Sequence, residues 1–234
     1  MRTIRSRSLA TVSLLFLLAS GNEPGAQSSE TFRQYQFLAG DNGHDLVMRE
    51  LPMPAPGTDE VLVRVRASSL NRRDIYILNS NPRQRGNLAG SVPLSDGAGE
   101  VIAVGRGVTQ FEVGDRVAGI FFSEWIDGKR TTSGLASARG GGGSDGMLSE
   151  IVVTNQDGLV TIPEHLSYEE AATLPCAAVT AWVGLFKNGN LEPDEYVLLE
   201  GTGGVSTFGL QLAAAAGARP IITSSSNDKL ARAR

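Results

Sequence analysis

Cysteine and histidine are scarce in this sequence, which has one cysteine, Cys176, and two histidines, His44 and His165, among 234 residues. A single cysteine excludes an intramolecular disulfide and a zinc site made of several thiolates. Neither histidine stands at ligand spacing with Cys176 or a carboxylate, so no metal site is predicted. Cys176 is interpreted as a small apolar residue of the core. The G-x-S-x-G motif of serine hydrolases is also absent.

Positive charge is not concentrated anywhere beyond the first few residues. The 21 Lys and Arg residues are outnumbered by 25 Asp and Glu residues, and the formal net charge is −4. Proteins that bind nucleic acid usually carry a basic patch or stripe. The sequence therefore predicts no nucleic-acid partner.

Long hydrophobic runs are also missing, and the longest candidate lies at the N-terminus. Arg2, Arg5 and Arg7 precede the apolar residues 9–19, which are too few to span a bilayer comfortably, and small residues follow. This pattern is typical of a secretory signal peptide over residues 1–21, followed by a polar, disordered leader over residues 22–31. It predicts an exported protein with no membrane segment after signal removal. An uncleaved extension or a wrongly chosen start codon would leave the protein in the cytoplasm.

Short strands separated by turns dominate residues 32–165. Residues 61–67 alternate apolar and polar side chains, and residues 97–105, 115–122 and 148–154 are further apolar segments. Closely spaced strands of this kind predict a small β-barrel-like domain. The connection over residues 124–146 is rich in Gly, Ser and Ala, and it is interpreted either as a mobile flap over a cleft or as an excursion without a role.

A glycine-rich turn between a strand and a helix is the clearest motif of residues 166–234. The apolar strand at residues 196–199 leads into the sequence Gly201-Thr-Gly203-Gly204-Val205-Ser206, and a helix is predicted over residues 207–216. In this context the turn is typical of a site for a dinucleotide pyrophosphate, with Ser206 at the place of the third glycine. The alternative is a glycine-rich structural turn.

The residues after the next predicted strand, 221–223, bear on cofactor choice. A carboxylate there would bind the ribose hydroxyl of NAD, but the chain has Thr223 and three serines, including Ser224, with Lys229 nearby. This favours NADP(H) over NAD(H), and Asp228 is the counter-argument.

Several motifs in a fixed order give the chain a family resemblance. They are Ser69-Leu-Asn71-Arg-Arg-Asp74, Pro93-Leu-Ser-Asp-Gly-Ala-Gly-Glu-Val101, Val113-Gly-Asp-Arg-Val117, Leu174-Pro-Cys-Ala-Ala-Val-Thr180 and Val197-Leu-Leu-x-Gly-Thr-Gly-Gly-Val205. In this order they resemble the medium-chain dehydrogenase/reductase superfamily, especially its zinc-independent quinone oxidoreductase-like and alcohol dehydrogenase-like members. The resemblance implies an α/β plus β fold, in which a GroES-like β-barrel domain precedes a Rossmann domain.

The resemblance also implies a set of site residues. Zinc-dependent members carry a Cys and a His-Glu pair where this chain has Asn71 and Ser95-Asp96. It therefore implies zinc-free hydride transfer between a nicotinamide and a carbonyl, alcohol, enone or quinone. The candidate catalytic residues are Asn71, Asp74 and Asp96, although Asp74 and Asp96 are equally interpreted as structural. The candidate cofactor-binding residues are Thr180, Gly201, Gly203, Gly204, Val205, Ser224 and Lys229, and the candidate substrate-side residues are Tyr76 and Trp125.

Family members complete a six-stranded nucleotide-binding sheet, whereas this sequence predicts two of those strands. The sequence thus leaves two hypotheses. The chain is either a zinc-independent, NADP(H)-preferring oxidoreductase, or a C-terminally truncated, non-catalytic remnant with an incomplete cofactor site. A homodimer is an open alternative to a monomer.

Overall fold

The computed structural model describes residues 30–40, 43–80 and 88–233. The predicted signal peptide, residues 1–21, lies outside the described residues, as does the predicted leader up to residue 29. The strands in the described part are β1 (Thr31–Ala39), β2 (His44–Pro52), β3 (Glu60–Ser69), β4 (Asp96–Val104), β5 (Arg116–Gly119), β6 (Ile151–Asn155), β7 (Leu159–Thr161), β8 (Tyr196–Leu199) and β9 (Arg219–Ile222). The leader prediction is wrong at Thr31, which already belongs to β1.

Most of the helices are short, and α4 and α5 are the two longer ones. They are α1 (Arg72–Leu78), α2 (Thr132–Ala136), α3 (Tyr168–Ala172), α4, α5 (Gly204–Ala215) and α6 (Asn227–Arg232). Helix α4 is one helical run with π, α and π stretches at Leu174–Ala178, Val179–Trp182 and Val183–Asn188. None of the helices in the described part of the chain has the length and apolar composition needed to cross a membrane.

The first part of the chain forms a five-stranded antiparallel sheet in the order β6-β3-β4-β5-β7. Alternating side chains of β3 place Val61 and Val63 in a core with Val101, Val117 and Leu159. The hairpin of β1 and β2 joins this sheet through main-chain hydrogen bonds such as that from Tyr35 to Leu148. Within the described residues no ladder joins the two edge strands, β6 and β7, so the sheet is open there.

Three sequence expectations differ from the observed elements of this sheet. The predicted strand over residues 148–154 begins only at Ile151, because the preceding residues pair with β1. Strand β7 has three residues, which is too short for an alternation pattern to reveal it. The predicted long loop contains α2 and a deeply buried side chain, that of Arg139.

The second part of the chain is a small parallel unit. Strands β8 and β9 pair in parallel, with Leu198 opposite Ile221, and α5 connects them. One face of the pair contacts α4 and α5, where Leu185, Ala213 and Ala218 are buried. Helix α5 begins at Gly204, three residues before the predicted start, because the turn's last residues are already helical. This strand–helix–strand unit is the beginning of a Rossmann-type fold.

Candidate active site

A polar cluster forms where the sheet meets the helical part of the chain. Asp96 at the start of β4 has no solvent exposure, and its carboxylate accepts hydrogen bonds from the Ser95 hydroxyl at 2.7 Å and the Cys176 main-chain N–H at 3.1 Å. Asn71, the N-cap residue of α1, lies beside this carboxylate. The Asn71 N–H donates to Asp74 Oδ2 at 2.7 Å, which fixes the first turn of α1. The three candidate catalytic residues are therefore close neighbours.

Burial dominates the ionisation of this cluster. Desolvation raises the pKa of Asp96 above its usual range, and the hydrogen bond from Ser95 opposes that effect. Desolvation also raises the pKa of Asp74, while the hydrogen bond from the Asn71 N–H and the nearby Arg73 guanidinium oppose it. Burial and the charge of Asp96 raise the pKa of the Cys176 thiol to about 11. Cys176 is thus a protonated thiol at neutral pH and is not suited to act as a nucleophile.

One polar group of the cluster is available to a ligand. Asn71 Nδ2 is buried and makes no hydrogen bond of standard geometry among the described residues, although the Asn71 amide lies against the Asp96 carboxylate and stabilises its charge. Asp74 Oδ1 also lacks a hydrogen bond, although Arg73 Nη1 lies 3.6 Å away. A buried amide donor without a partner carries a free-energy cost of about 1–3 kcal/mol. A ligand oxygen placed at Asn71 would remove that cost.

Cys176 is the member of this cluster that sequence reasoning missed. Its thiol is partly buried next to Asp96 and Asp74, rather than being a simple apolar core residue. The sequence offers no signal for this contact, because the Asp96 carboxylate is reached by the main chain of the motif Leu174-Pro-Cys-Ala-Ala. Its spacing from the other site residues gave no indication of contact.

The groups of the cluster can be compared with those of zinc sites. Zinc sites in proteins use thiolate, imidazole or carboxylate ligands, commonly three or four of them. Here the corresponding groups are an amide, a hydroxyl and a carboxylate that already accepts two hydrogen bonds, beside a thiol with a raised pKa. Within the described ranges, no group of three or more His, Cys, Asp or Glu side chains is arranged to hold a metal ion.

The glycine turn has a geometry that leaves space above its main chain. Gly201 has a φ of +80°, which disfavours any residue with a Cβ. Gly203 is the N-cap residue of α5, and a Cβ added there would meet no atom within 4 Å. A Cβ on Gly204 would come within 3.3 Å of Ala177 on α4. The amino end of α5, with its free N–H groups, therefore faces open space beside α4.

Close packing of the helix on the strand occurs at Gly209, not at Ser206. A Cβ on Gly209 would lie 2.9 Å from a methyl group of Leu199 in β8. The Ser206 hydroxyl instead donates to the Glu200 carbonyl at 2.9 Å. Ser206, at the position where the sequence predicts a third small residue, thus anchors the turn by a hydrogen bond to its main chain.

Other candidate cofactor residues lie around the same turn. Thr180 is on α4, one turn after Ala177, and its hydroxyl donates to the Cys176 carbonyl at 2.6 Å. The Ser224 and Thr202 hydroxyls are 3.0 Å apart. A cavity of about 330 Å³ beside them is lined by Thr202, Thr207, Lys229, Arg232 and Ala233. The chain therefore brings Ser224 and Lys229 to the same side of the glycine turn.

The two candidate substrate-side residues are separated. The Tyr76 side chain is exposed on α1 and accepts a hydrogen bond from Arg72 Nε at 2.8 Å. Trp125 instead lines an apolar cavity of about 460 Å³ that Tyr76 does not line. The lining residues of this cavity come from β5 and the segment after it, from β7 and from the start of α4.

Comparison with known proteins agrees with this architecture. The profile of the alcohol dehydrogenase GroES-like domain matches residues 57–164. A zinc-type alcohol dehydrogenase-like protein of Schizosaccharomyces pombe is 49% identical over 176 residues, which are 73% of this chain and 49% of that protein. The zinc-type alcohol dehydrogenase-like protein YogA of Leptosphaeria maculans is 32% identical over 215 residues, covering 87% of this chain and 59% of that protein. The chain thus spans about half to three fifths of these relatives.

Solved structures show the same relationship. A structure assigned as an alcohol dehydrogenase from Sinorhizobium meliloti 1021 matches with a TM-score of 0.80 and 42% identity, covering 88% of this chain and 60% of that one. The quinone oxidoreductase of Pseudomonas syringae matches with a TM-score of 0.67 and 31% identity, covering 86% and 55%. By its fold, its ordered motifs and these similarities, the chain belongs to the medium-chain dehydrogenase/reductase family of alcohol dehydrogenase-like and quinone oxidoreductase-like proteins.

Proposed function

We propose that this chain carries the substrate-binding part and the first cofactor-binding unit of a zinc-independent, NAD(P)(H)-dependent oxidoreductase. Its reaction is hydride transfer between the nicotinamide and a carbonyl, alcohol, enone or quinone. The observation that supports this most directly is the glycine turn, where the space above Gly203 lies at the amino end of α5. Relatives whose names include alcohol dehydrogenase, quinone oxidoreductase and acryloyl-coenzyme A reductase are consistent with it.

In this proposal the turn holds the cofactor through main-chain groups. The N–H groups at Gly203, Gly204 and Val205 bind the pyrophosphate, and Thr180 lies next to the nicotinamide ribose. The bound nicotinamide supplies or accepts the hydride. The protein's contribution is to bind and orient the two reactants and to exclude water.

The polar cluster positions the oxygen of the substrate. Asn71 Nδ2, which is buried and makes no hydrogen bond of standard geometry, donates to the substrate oxygen. Asp74 holds the main chain of Asn71, and Asp96 holds the main chain of Cys176, so both act as positioning residues. The zinc-free assignment rests on the arrangement of side chains, since no three His, Cys, Asp or Glu residues of the described ranges are placed to share a metal ion.

The preference for NADP(H) rests on two positively charged side chains, Lys229 and Arg232, in the cavity beside the glycine turn. No carboxylate lies in the cavity lined by Thr202, Thr207, Lys229 and Arg232, and the Ser224 hydroxyl adjoins it. Two cations and several hydroxyls suit a ribose 2′-phosphate, whereas NAD(H) sites generally use an acidic residue there.

Calorimetric titration of the chain with NADPH and NADH tests the cofactor proposal. We expect tighter binding of NADPH, and Lys229→Ala is expected to weaken NADPH binding about tenfold, a change of about 1.4 kcal/mol, while leaving NADH binding nearly unchanged. Gly203→Val should abolish binding of both cofactors without loss of stability, since its side chain enters open space. Gly184→Val is the matched control, because Gly184 also has no neighbour within 4 Å of an added Cβ.

Three results would contradict parts of this proposal. Tighter binding of NADH would overturn the NADP(H) preference. Retention of cofactor binding by Gly203→Val would overturn the location at the glycine turn. Absence of binding at millimolar concentrations of either cofactor would favour the non-catalytic alternative.

The export prediction falls on residues outside the described ranges and stays a prediction. Sequencing the N-terminus of the protein from its own cells tests it. A mature N-terminus near residue 22 in the secreted or periplasmic fraction is expected, and an intact Met1 in the cytosol would contradict export.

A further inference from the structure

We propose that the apolar cavity beside β5, β7 and α4 binds the substrate, and that this substrate is an uncharged aromatic carbonyl compound. The apolar and aromatic character is inferred from the cavity itself. The carbonyl group rests on the function proposed above.

The lining of the cavity carries no charged side chain. Its floor includes the buried residues Ala118, Ile162 and Ala171, and Thr161 supplies its single side-chain hydroxyl. Its volume of about 460 Å³ is within the range of small-molecule sites, which are mostly apolar and occur preferentially between structural units. An ionised or strongly hydrated ligand would lose its solvation here without compensation.

Three aromatic side chains of the lining favour a flat, aromatic ligand. The rings of Phe121 and Phe122 are 4.7 Å apart at 69°, and those of Phe122 and Trp125 are 5.5 Å apart at 60°. The first contact is edge-to-face and the second is tilted, and such ring pairs contribute about 0.5–1.5 kcal/mol beyond their burial. A planar aromatic ligand would pack against these rings in the same way.

One end of the cavity lies next to the polar cluster. The Arg73 guanidinium sits over the Phe121 ring at 4.7 Å and lies 3.6 Å from Asp74. Pro175, another lining residue, immediately precedes Cys176, whose N–H bonds to Asp96. A ligand with its ring among Phe121, Phe122 and Trp125 therefore lies next to the elements that carry the polar cluster.

Part of the lining of the cavity is exposed to solvent. Ile126, Val160 and Val179 line it, and their exposures are 60%, 49% and 52%. This rim offers an entry path that does not pass the glycine turn. It also offers positions where a larger side chain closes the cavity without entering a packed core.

NMR titration with acetophenone tests the inference in the absence of any cofactor. The protein has two tryptophans, and their indole N–H signals in the 15N-labelled chain are assigned with Trp182→Phe. Acetophenone is expected to shift the Trp125 signal saturably, while the Trp182 signal stays in place. Dihydroxyacetone, a hydrophilic carbonyl compound, should leave both signals unchanged.

Rim variants connect the signal to the cavity. Val179→Phe and, on the opposite rim, Val160→Phe should each weaken acetophenone binding about tenfold or more. Val183→Phe is the matched control, since it lies one turn further along α4 and does not line the cavity. Unchanged affinity in both rim variants, or equal shifts from dihydroxyacetone, would overturn the inference.

The two proposals fail separately. If NADPH binds and acetophenone does not shift Trp125, the substrate class is wrong and the cofactor proposal stands. If acetophenone binds and neither cofactor does, the oxidoreductase proposal is wrong while the apolar ligand site stands.

Discussion

Asp96 is the residue on which the geometry of the candidate site depends most. Its carboxylate has no solvent exposure, and it accepts hydrogen bonds from the Ser95 hydroxyl and the Cys176 main-chain N–H, with the Asn71 amide beside it. Burial of an ionised carboxylate is unfavourable, and this desolvation raises the pKa of Asp96. The hydrogen bonds and the charge of the nearby Arg73 guanidinium oppose the effect without cancelling it.

Replacing Asp96 with Asn predicts a pH-dependent change in stability. Since the folded pKa lies above the ordinary value of 3.8, the folded state keeps a proton that the unfolded chain has lost. The free energy of unfolding of the wild type therefore falls as pH rises through that window, by about 1.4 kcal/mol per unit of pKa shift. Asp96→Asn removes this contribution, so its stability relative to the wild type should increase with pH.

Urea unfolding between pH 4 and pH 8 measures the effect. The charge of Asp96 also contributes to the raised pKa of Asp74, so Asp96→Asn lowers that pKa and adds a change of the same sign to the difference. Asp127→Asn, at an exposed position, is the control and should differ from the wild type by a constant amount. A pH-independent difference for Asp96→Asn would contradict the prediction.

At the residue scale, the sequence grouped Asp96 with Asn71 and Asp74 but did not indicate its contact with Cys176. Asn71, Asp74 and Asp96 stand within motifs whose order indicated a shared cleft. Cys176 is 80 positions away from Asp96, and its contact uses a main-chain N–H, which any residue type except proline would provide. Side-chain chemistry in the sequence carries no information about such a contact.

The segment between β5 and β6 shows the same limit at the scale of elements. Its glycine-rich composition predicts a loop, yet the Arg139 side chain is 2% exposed and anchors it. Arg139 donates to the Ile120 carbonyl at 3.0 Å, the Thr154 hydroxyl at 2.6 Å and the Gly158 carbonyl at 3.2 Å. These acceptors belong to three separate stretches, so no local pattern could have indicated the order of this segment.

Arg139→Met is expected to destabilise the protein by about 3 kcal/mol, because three buried acceptors lose their donor. Thermal or urea unfolding measures the loss. Arg130→Met, at an exposed position in the same segment, is the matched control and should change stability by less than about 0.5 kcal/mol. Equal stability of the two variants would show that Arg139 does not anchor the segment.

Elements with local signals were predicted well. The capping box at Ser167 and Glu170 is confirmed, since the Ser167 hydroxyl accepts from the Glu170 N–H and the Glu170 carboxylate accepts from the Ser167 N–H. Gly217, with a φ of +78°, ends α5 as its position indicated. Strand ends were less accurate, because pairing with a distant strand, rather than local composition, decides where a strand stops.

For the molecule as a whole, the two-stranded parallel sheet is exposed on one face. Tyr196, Leu198 and Ile221 point away from α5, with exposures of 70%, 61% and 50%. Parallel sheets are normally covered on both faces. The chain spans about half to three fifths of its relatives, so this face has no covering element within the described residues.

Leu198→Lys is therefore expected to reduce self-association of the chain. The wild type should show a concentration-dependent increase in mass by sedimentation velocity, since the exposed face is apolar and has a free strand edge. Leu38→Lys makes the same charge change at an exposed leucine of β1 and should leave the association unchanged. Equal association of both variants would place any homodimer contact elsewhere.

The hydrogen bond from the Cys176 N–H to Asp96 also makes the exchange rate of this amide a measure of motion between the two parts of the chain. The amide hydrogen of Cys176 is held by a carboxylate on β4, so it can exchange with solvent deuterium only when α4 leaves the sheet. The exchange rate, measured by NMR or mass spectrometry, thus reports how often α4 separates from the sheet. A cofactor bridging the glycine turn and the cleft would slow this exchange, which would report closure without any measurement of turnover.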